Sequence, residues 1–447
     1  MHYFTADDCL TEKTLAKNSH CTLEYTIPAT GVTGGIYQLQ VAGKNVDNKD
    51  DVLSITIDSQ TYTYVRCWYK LKNNHNETKT NYEWAKDNGK DYELHGHWWS
   101  YFNIVSNMFY TQTNGKTIKN ICLKTLQDKN ISADRYLQAS AADNSFSYNY
   151  EIWSELNSSP PPYTFAKVNR VISFGDSLSD NGIIYNASQW LIPNKNSWLL
   201  GRFSNGLQWQ EYIAEDNDLP LNNWAVGAAS SSVKDYGILP GVLAQIKSWE
   251  EYMTLDKGYN AGNTLFTILI GANDFMSDGM SAAEVIANVK MAINTLIADG
   301  VRYIIIANAP DYSLVPAYTQ LGRAGAVEVA QKVKLYNEAL QAFIANMQQS
   351  EAKVHIILVD TYTFLDKILT KTSHYHFSNT QQSCLKIDTL SDINWFVSHP
   401  LRTNCTDSDT FVFWDTVHPT TMVHQDLAKD VESLIKAQWQ PNSSTKG

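Results

Sequence analysis

Residues 171–180 read VISFGDSLSD. The run Val171–Phe174 is short and mostly apolar, the kind of segment that fills a strand buried on both faces. It breaks at Gly175, and an Asp-Ser pair follows where the chain must turn. The same texture returns at Thr264–Ile270, Arg302–Ala307 and Val354–Val359. Helical patterns lie between these runs. Ser281-Ala-Ala-Glu284 is a capping box, and the helix it opens carries Ile286, Val289, Ile293, Leu296 and Ile297 on one stripe before stopping at Gly300. A long helix is predicted from about 325 to 349. A last one carries Val423, Leu427, Val431, Leu434 and Ile435. Strands alternating with helices specify a parallel sheet with helices on both faces.

Upstream the texture changes. Residues 157–163 read NSSPPPY, and three consecutive prolines suit neither a helix nor a sheet interior. Before them apolar residues alternate: Tyr37, Leu39, Val41, then Leu53, Ile55, Ile57, with Thr61–Tyr69 both β-branched and aromatic. No long amphipathic helix is predicted there. The chain therefore divides into a small β-rich domain at 1–156, a proline-rich linker at 157–163 and an α/β domain at 164–440. All candidate chemistry falls after the linker, so the second half alone is expected to retain activity on a soluble substrate.

Composition narrows the function. The chain has 447 residues, 43% of them apolar, and 18% charged. That is enough to bury a large core, and far from the profile of a disordered chain. A net charge of −11 lacks the basic footprint of a nucleic-acid binder. No apolar run approaches the length that spans a bilayer as a helix.

Four short blocks carry candidate chemistry. In a parallel α/β sheet, sites form beyond the carboxyl ends of the strands. Ser177 would stand there at a helix start, its own N–H pointing outward, and becomes a nucleophile if a base reaches it. Gly227, in Asn223-Trp-Ala-Val-Gly-Ala-Ala-Ser230, lets the backbone approach a ligand so that its N–H can face an oxyanion. Asn273, in Gly271-Ala-Asn-Asp274, offers a side-chain amide. Asp415 and His418 are three residues apart, close enough for the carboxylate to orient the imidazole. Each block alone has an ordinary explanation: a helix cap, a glycine turn, an Asx turn, a surface pair. All four at strand ends, in one order, are far more specific.

Gly175-Asp-Ser-Leu178, Gly227, Asn273 and Asp415-x-x-His418 together resemble the blocks of the GDSL, or SGNH, esterase and lipase superfamily. NASQW (186–190), GRFSNG (201–206), NTLFTILIGANDF (263–275) and FVFWDTVHPTT (411–421) extend the likeness to the secreted bacterial lecithin-dependent, thermolabile haemolysins. The resemblance covers about residues 168–438. One departure is Gly227-Ala228, where relatives often carry Gly-Gly; the first glycine is taken as the donor. The resemblance implies the SGNH-hydrolase fold, a flavodoxin-like three-layer α/β/α parallel sheet, after a non-catalytic first domain. It implies phospholipase A and lysophospholipase activity with some acyl transfer. Ser177, Asp415 and His418 would be catalytic, and Ser177, Gly227 and Asn273 would form the oxyanion hole. No cofactor or metal is expected; His95 and His97 in HGHWW read as surface or packed residues.

Six cysteines, none in a CxxC, favour disulfides and an oxidising compartment. If no bridge crosses the linker, Cys384 pairs with Cys405. The other four allow three pairings, of which Cys9–Cys21 with Cys67–Cys122 is preferred. MHYFTADDCL lacks a basic n-region and an apolar h-region. The chain reads as a mature secreted or periplasmic bacterial protein with its signal peptide absent. It is expected to act as a monomer on phospholipid or lysophospholipid at a membrane surface. The alternatives are a carbohydrate acetyl-esterase on the same four blocks, or a lipid- or glycan-binding protein on an inactive scaffold.

Overall fold

The computed structural model describes residues 61–99, 108–142, 144–145, 148–154, 168–233, 239–256, 258–370 and 375–439, and short strands at Phe4–Asp7, Leu23–Tyr25, Gly35–Gln40 and Val52–Ile57. The proline-rich linker and the Cys9–Cys21 pair lie outside the described residues.

The first half is built on a six-stranded sheet: β1 (Thr61–Lys70), β2 (Thr80–Trp84), β3 (Glu93–Trp99), β4 (Met108–Thr111), β5 (Tyr136–Ala142) and β6 (Glu151–Ser154). The order is β5-β1-β3-β4-β6, with β2 also paired to β1. The β-rich expectation holds with one correction. A 14-residue helix, α1 (Gly115–Asp128), packs against this sheet through Ile118, Cys122 and Leu126. Its inward stripe is completed by Thr125 and the disulfide-bonded Cys122, so an apolar pattern alone does not reveal it. The Cys67–Cys122 disulfide ties α1 to β1.

The second half holds a five-stranded sheet of β7 (Arg170–Gly175), β8 (Leu221–Asn223), β9 (Thr264–Leu269), β10 (Tyr303–Ala307) and β11 (His355–Val359). Every neighbouring pair is parallel, in the order β8-β7-β9-β10-β11. Four of these strands fall on the predicted buried runs. The fifth, β8, has only three residues, two of them asparagine, and carries no strand pattern. Helices α2 (Trp209–Asp216) and α6 (Thr421–Trp439) pack together on one side; α3 (Val242–Met253), α4 (Ala282–Ala298) and α5 (Ala326–Ser350) form the other layer. The Ser281–Glu284 capping box opens α4 as expected, a device worth about 1 kcal/mol. The chain leaves β7 for β8 on one side, then crosses to β9 on the other. The crevice at that reversal, beyond the carboxyl ends of β7 and β9, is where such sheets bind ligands.

The two halves share one core. Trp99, Met108 and Trp153 belong to the same buried cluster as Val171, Ile172 and Phe174. The buried Arg170 guanidinium lies 3.7 Å from the Trp153 ring centroid and donates to the Ser154 carbonyl at 2.6 Å. It also donates to Asn222. Burial lowers the Arg170 pKa to about 10 and raises that of the adjacent Glu151 carboxyl to about 7. Arg202 donates to Gln138 at 2.7 Å and pairs with Glu211 inside the second half. Removing the first half would take from these buried groups their contacts with Trp153, Ser154 and Gln138, at a cost of about 1–3 kcal/mol for each lost hydrogen bond to a buried group. The expectation of an independent catalytic half is revised accordingly. A 164–447 fragment should lose at least about tenfold of its soluble-ester turnover and melt at lower temperature than the full chain. A fragment matching the full chain in both assays would show that the shared core is dispensable.

Candidate active site

β7 ends at Gly175, whose φ is +151° and where an added Cβ would stand 2.3 Å from the Leu269 carbonyl oxygen. Only glycine lets the chain turn this close to β9. The Gln245 side chain grips the turn at both ends, accepting from Gly175 N–H at 3.0 Å and donating to its carbonyl at 2.9 Å. Gln208 donates to the Ser177 carbonyl at 2.7 Å. The nucleophile candidate is thus fixed by two amides that carry no recognisable sequence signal.

Ser177 Oγ lies 2.8 Å from His418 Nε2. His418 Nδ1 lies 2.9 and 3.0 Å from the two Asp415 oxygens. With its proton on Nδ1, His418 donates to Asp415 and leaves Nε2 free to accept from Ser177. Asp415 is fully buried. Its carboxylate also accepts from the backbone N–H groups of Val417 and His418, each at 2.8 Å, and from Trp198 Nε1 at 2.9 Å. These bonds satisfy and align the carboxylate without solvent. The imidazole packs against Phe203 and Trp395, with ring centroids 4.9 and 5.3 Å away. Chemically, such an arrangement can activate a serine through a general base whose tautomer a carboxylate fixes.

The Gly227 N–H, expected to face an oxyanion, has a partner within the chain. Gly227 N–H donates to Asp180 Oδ2 at 2.7 Å and does not face the serine side of the crevice as a free group. The glycine is needed for another reason: a Cβ there would stand 2.5 Å from the Phe203 ring that packs on His418. The next residue, Ala228, is exposed and adopts φ +67°, a conformation side chains rarely take. Among the described residues nothing accepts from the N–H of Ala228 or of Ser177. Asn273 sits in the short helix after β9 and commits one amide hydrogen to the Ala229 carbonyl at 2.9 Å. Its second amide hydrogen remains.

Two buried carboxylates brace the site. Asp180 accepts from Gly182 at 2.8 Å and Ile184 at 3.1 Å as well as from Gly227. Asp176 accepts from Leu178 N–H at 3.0 Å, while its other oxygen is buried without a hydrogen bond. Burial pushes Asp176 up to about 7 and Asp180 to about 6.

The first half also reaches this site. At the β1–β2 hairpin tip, His75 Nδ1 lies 2.6 Å from Asp409 Oδ1, and Asn76 donates to the Thr406 carbonyl at 2.6 Å. Asn76 accepts in return from Ser408 N–H at 2.7 Å. Asn205 links His75, Ser408 and Thr421, closing the node just beyond His418. The Cys384–Cys405 disulfide is present and closes the preceding loop. His95 and His97 lie on β3, where they pack on Tyr62 and Tyr110.

A family model described as GDSL-like lipase/acylhydrolase matches residues 171–431. The chain belongs to this family. It is an enzyme of the GDSL esterase and lipase type, and the sequence resemblance to that superfamily holds. A second model, the N-terminal domain of Vibrio dual lipase/transferase, matches residues 38–155. The thermolabile hemolysin of Vibrio parahaemolyticus is 39% identical over 377 residues, covering 84% of this chain and 88% of that protein. The phosphatidylcholine-sterol acyltransferase of Aeromonas hydrophila is 23% identical, over 61% of this chain and 91% of that protein. A solved G-D-S-L family structure from Veillonella parvula is 14% identical with a TM-score of 0.36, covering 60% of this chain and 99% of that one. The parallel sheet flanked by helices is the α/β architecture expected of a GDSL enzyme.

Asp176 gives the site a pH signature. Its folded pKa is raised above its unfolded value, so the folded state holds a proton that the unfolded state has lost between about pH 4 and 7. Stability from this group is therefore full at low pH and is lost as pH rises through that window. The melting temperature of wild type minus that of Asp176→Asn should fall from about pH 4 to about pH 7 and then level off. A difference that is flat or rising over this window would exclude the assignment.

Proposed function

We propose that this GDSL enzyme is an exported phospholipase A and lysophospholipase that works through an acyl-serine intermediate, with minor acyl transfer. The observation that carries the reading is the continuous hydrogen-bonded chain from Ser177 through His418 to the buried Asp415. The names of the relatives, a hemolysin and a phosphatidylcholine-sterol acyltransferase, support a lipid ester as substrate. Two disulfides among the described residues support export to an oxidising compartment.

In this mechanism Ser177 Oγ attacks the ester carbonyl while His418 Nε2 takes its proton. The C–O bond to the glycerol oxygen then breaks, and His418 returns the proton to that leaving alcohol. Water or another alcohol attacks the acyl-serine, again losing its proton to His418, and Ser177 is regenerated. The Asp415 carboxylate orients His418 and stabilises the imidazolium. The oxyanion is held by the N–H groups of Ser177 and Ala228 and by Asn273 Nδ2. Ala228 replaces Gly227 in this role because its N–H is uncommitted and its positive φ turns the peptide differently from an ordinary turn.

Two experiments test the assignment. Ser177→Ala should lower turnover by roughly 10⁴–10⁶ without changing the melting temperature, and a serine-directed phosphonate should label Ser177 alone. Products from phosphatidylcholine and lysophosphatidylcholine should be mainly free fatty acid, with minor acyl-acceptor product. No product from any choline phospholipid would remove the phospholipase reading. For the oxyanion hole, Asn273→Ala should cost about 10²–10³ in kcat with little change in KM, because the bond strengthens only in the transition state. Ala228→Gly should stay within about threefold of wild type, since glycine also adopts positive φ and keeps the N–H. A loss confined to KM in Asn273→Ala would make it a binding residue instead.

A further inference from the structure

The loop closed by Cys384–Cys405 shows an unusual distribution of apolar side chains. Leu390, Ile393, Phe396 and Val397 are between 41% and 58% exposed, and Leu191, three residues before the Asn194 that bonds to this loop, is 59% exposed. The loop is nonetheless firmly held. Its neck is joined by the disulfide, and Arg402 donates to the Ser383 and Ile387 carbonyls and pairs with Asp388 at 2.8 Å. Its tip is pinned to the segment carrying Leu191: Asn194 accepts nothing from it but donates twice, to the Trp395 carbonyl at 2.9 Å and the Phe396 carbonyl at 2.8 Å. His399 N–H donates to Ser197 Oγ at 2.7 Å. An ordered loop that holds four large apolar side chains in water gains nothing for the isolated fold.

The same loop forms a wall of the active site. Trp395 lies between Ile393 and Phe396 in sequence, and its ring packs on His418, Phe203 and Trp198. The exposed Ile393 and Phe396 therefore lie two residues before and one residue after the ring that packs on His418. A body seated on the patch lies at the rim of the crevice that holds Ser177.

Charge selects what that body is. Residues 385–404 carry Lys386 and Arg402 against Asp388 and Asp392, a sum of zero, on a chain whose net charge is −11. An anionic surface would be repelled by the body and gains no cationic cluster from the loop. A zwitterionic surface meets a neutral, apolar, aromatic-flanked loop, the composition that settles in a membrane interface. We propose that Leu191, Leu390, Ile393, Phe396 and Val397 form a docking surface for zwitterionic phosphatidylcholine membranes, seating the crevice over its lipid substrate. This rests on the lipid-ester reading above.

The test uses the full-length protein and an Ile393→Ser/Phe396→Ser double variant, whose changes fall on exposed side chains away from the triad. Its melting temperature and its turnover of a soluble p-nitrophenyl ester and of monomeric dihexanoyl-phosphatidylcholine should stay within about twofold of wild type. Flotation with phosphatidylcholine vesicles, and hydrolysis of the lipid in them, should each fall by roughly tenfold or more. Ser177→Ala should float like wild type, which separates docking from turnover. A double variant that floats as well as wild type overturns the surface. So does wild type that prefers phosphatidylserine vesicles, or wild type that ignores vesicles while the patch supports self-association or binding to a protein. If wild type floats and the double variant does not, yet no phospholipid is hydrolysed, the docking surface stands and the phospholipase reading fails.

Discussion

The buried Asp415 carboxylate is the constraint around which the site is arranged. A charge with no exposed surface must be satisfied by donors, because leaving it unpaired costs several kcal/mol. Four donors converge on it: His418 Nδ1, two backbone N–H groups of its own turn, and Trp198 Nε1. Three of the four come from the tight Asp415–His418 turn, so three-residue spacing both delivers the imidazole and solvates the charge. The fourth comes from a residue 217 positions away. That one bond ties the segment at 194–198 to the catalytic turn, and with it the loop that carries Trp395.

This dependence spreads through the rest of the molecule. The turn at 415–418 follows β13 (Phe411–Phe413), which pairs in parallel with β12 (Asn379–Ser383), outside the main sheet. His418 is therefore not fixed by the five-stranded sheet that fixes Ser177. It is held by a second set of contacts: the disulfide, the short β12–β13 pair, Asn205 and the hairpin tip with His75 and Asn76. The first half, which holds none of Ser177, His418 and Asp415, thereby supports the segment that the core sheet does not reach. The shared core around Trp153 and Arg170 supplies the rigidity that makes such support effective.

Ser177, Asn273, Asp415 and His418 were all legible in the sequence, because each sits at a point where short-range rules are strong. A glycine break after an apolar run, an Asn after a buried strand and a DxxH spacing are local features. So were four of the five strands of the parallel sheet and the helices over 282–298, 326–350 and 421–439. The order of alternating elements decided the fold class. β8 and α1 escaped because their packing faces are filled by Asn, Thr and a bonded Cys, residues whose burial depends on partners far along the chain.

What only the tertiary structure decided has one common physical cause: hydrogen bonds and close contacts between residues distant in sequence. Local reading gave Gly227 as the donor, but Asp180, 47 positions earlier, takes its N–H, and the Phe203 ring explains why no side chain fits there. Gln208, Gln245 and Trp198 carry no motif and act through the atoms they meet. The linker invited a reading of two separable domains, yet Trp153 and Arg170 lie on opposite sides of it and the guanidinium sits over the indole ring. Sequence alone determined the chemistry on offer and the sheet that presents it. Three-dimensional packing decided which N–H groups are free, which carboxylates are buried, and that the first domain is part of the support for the active site.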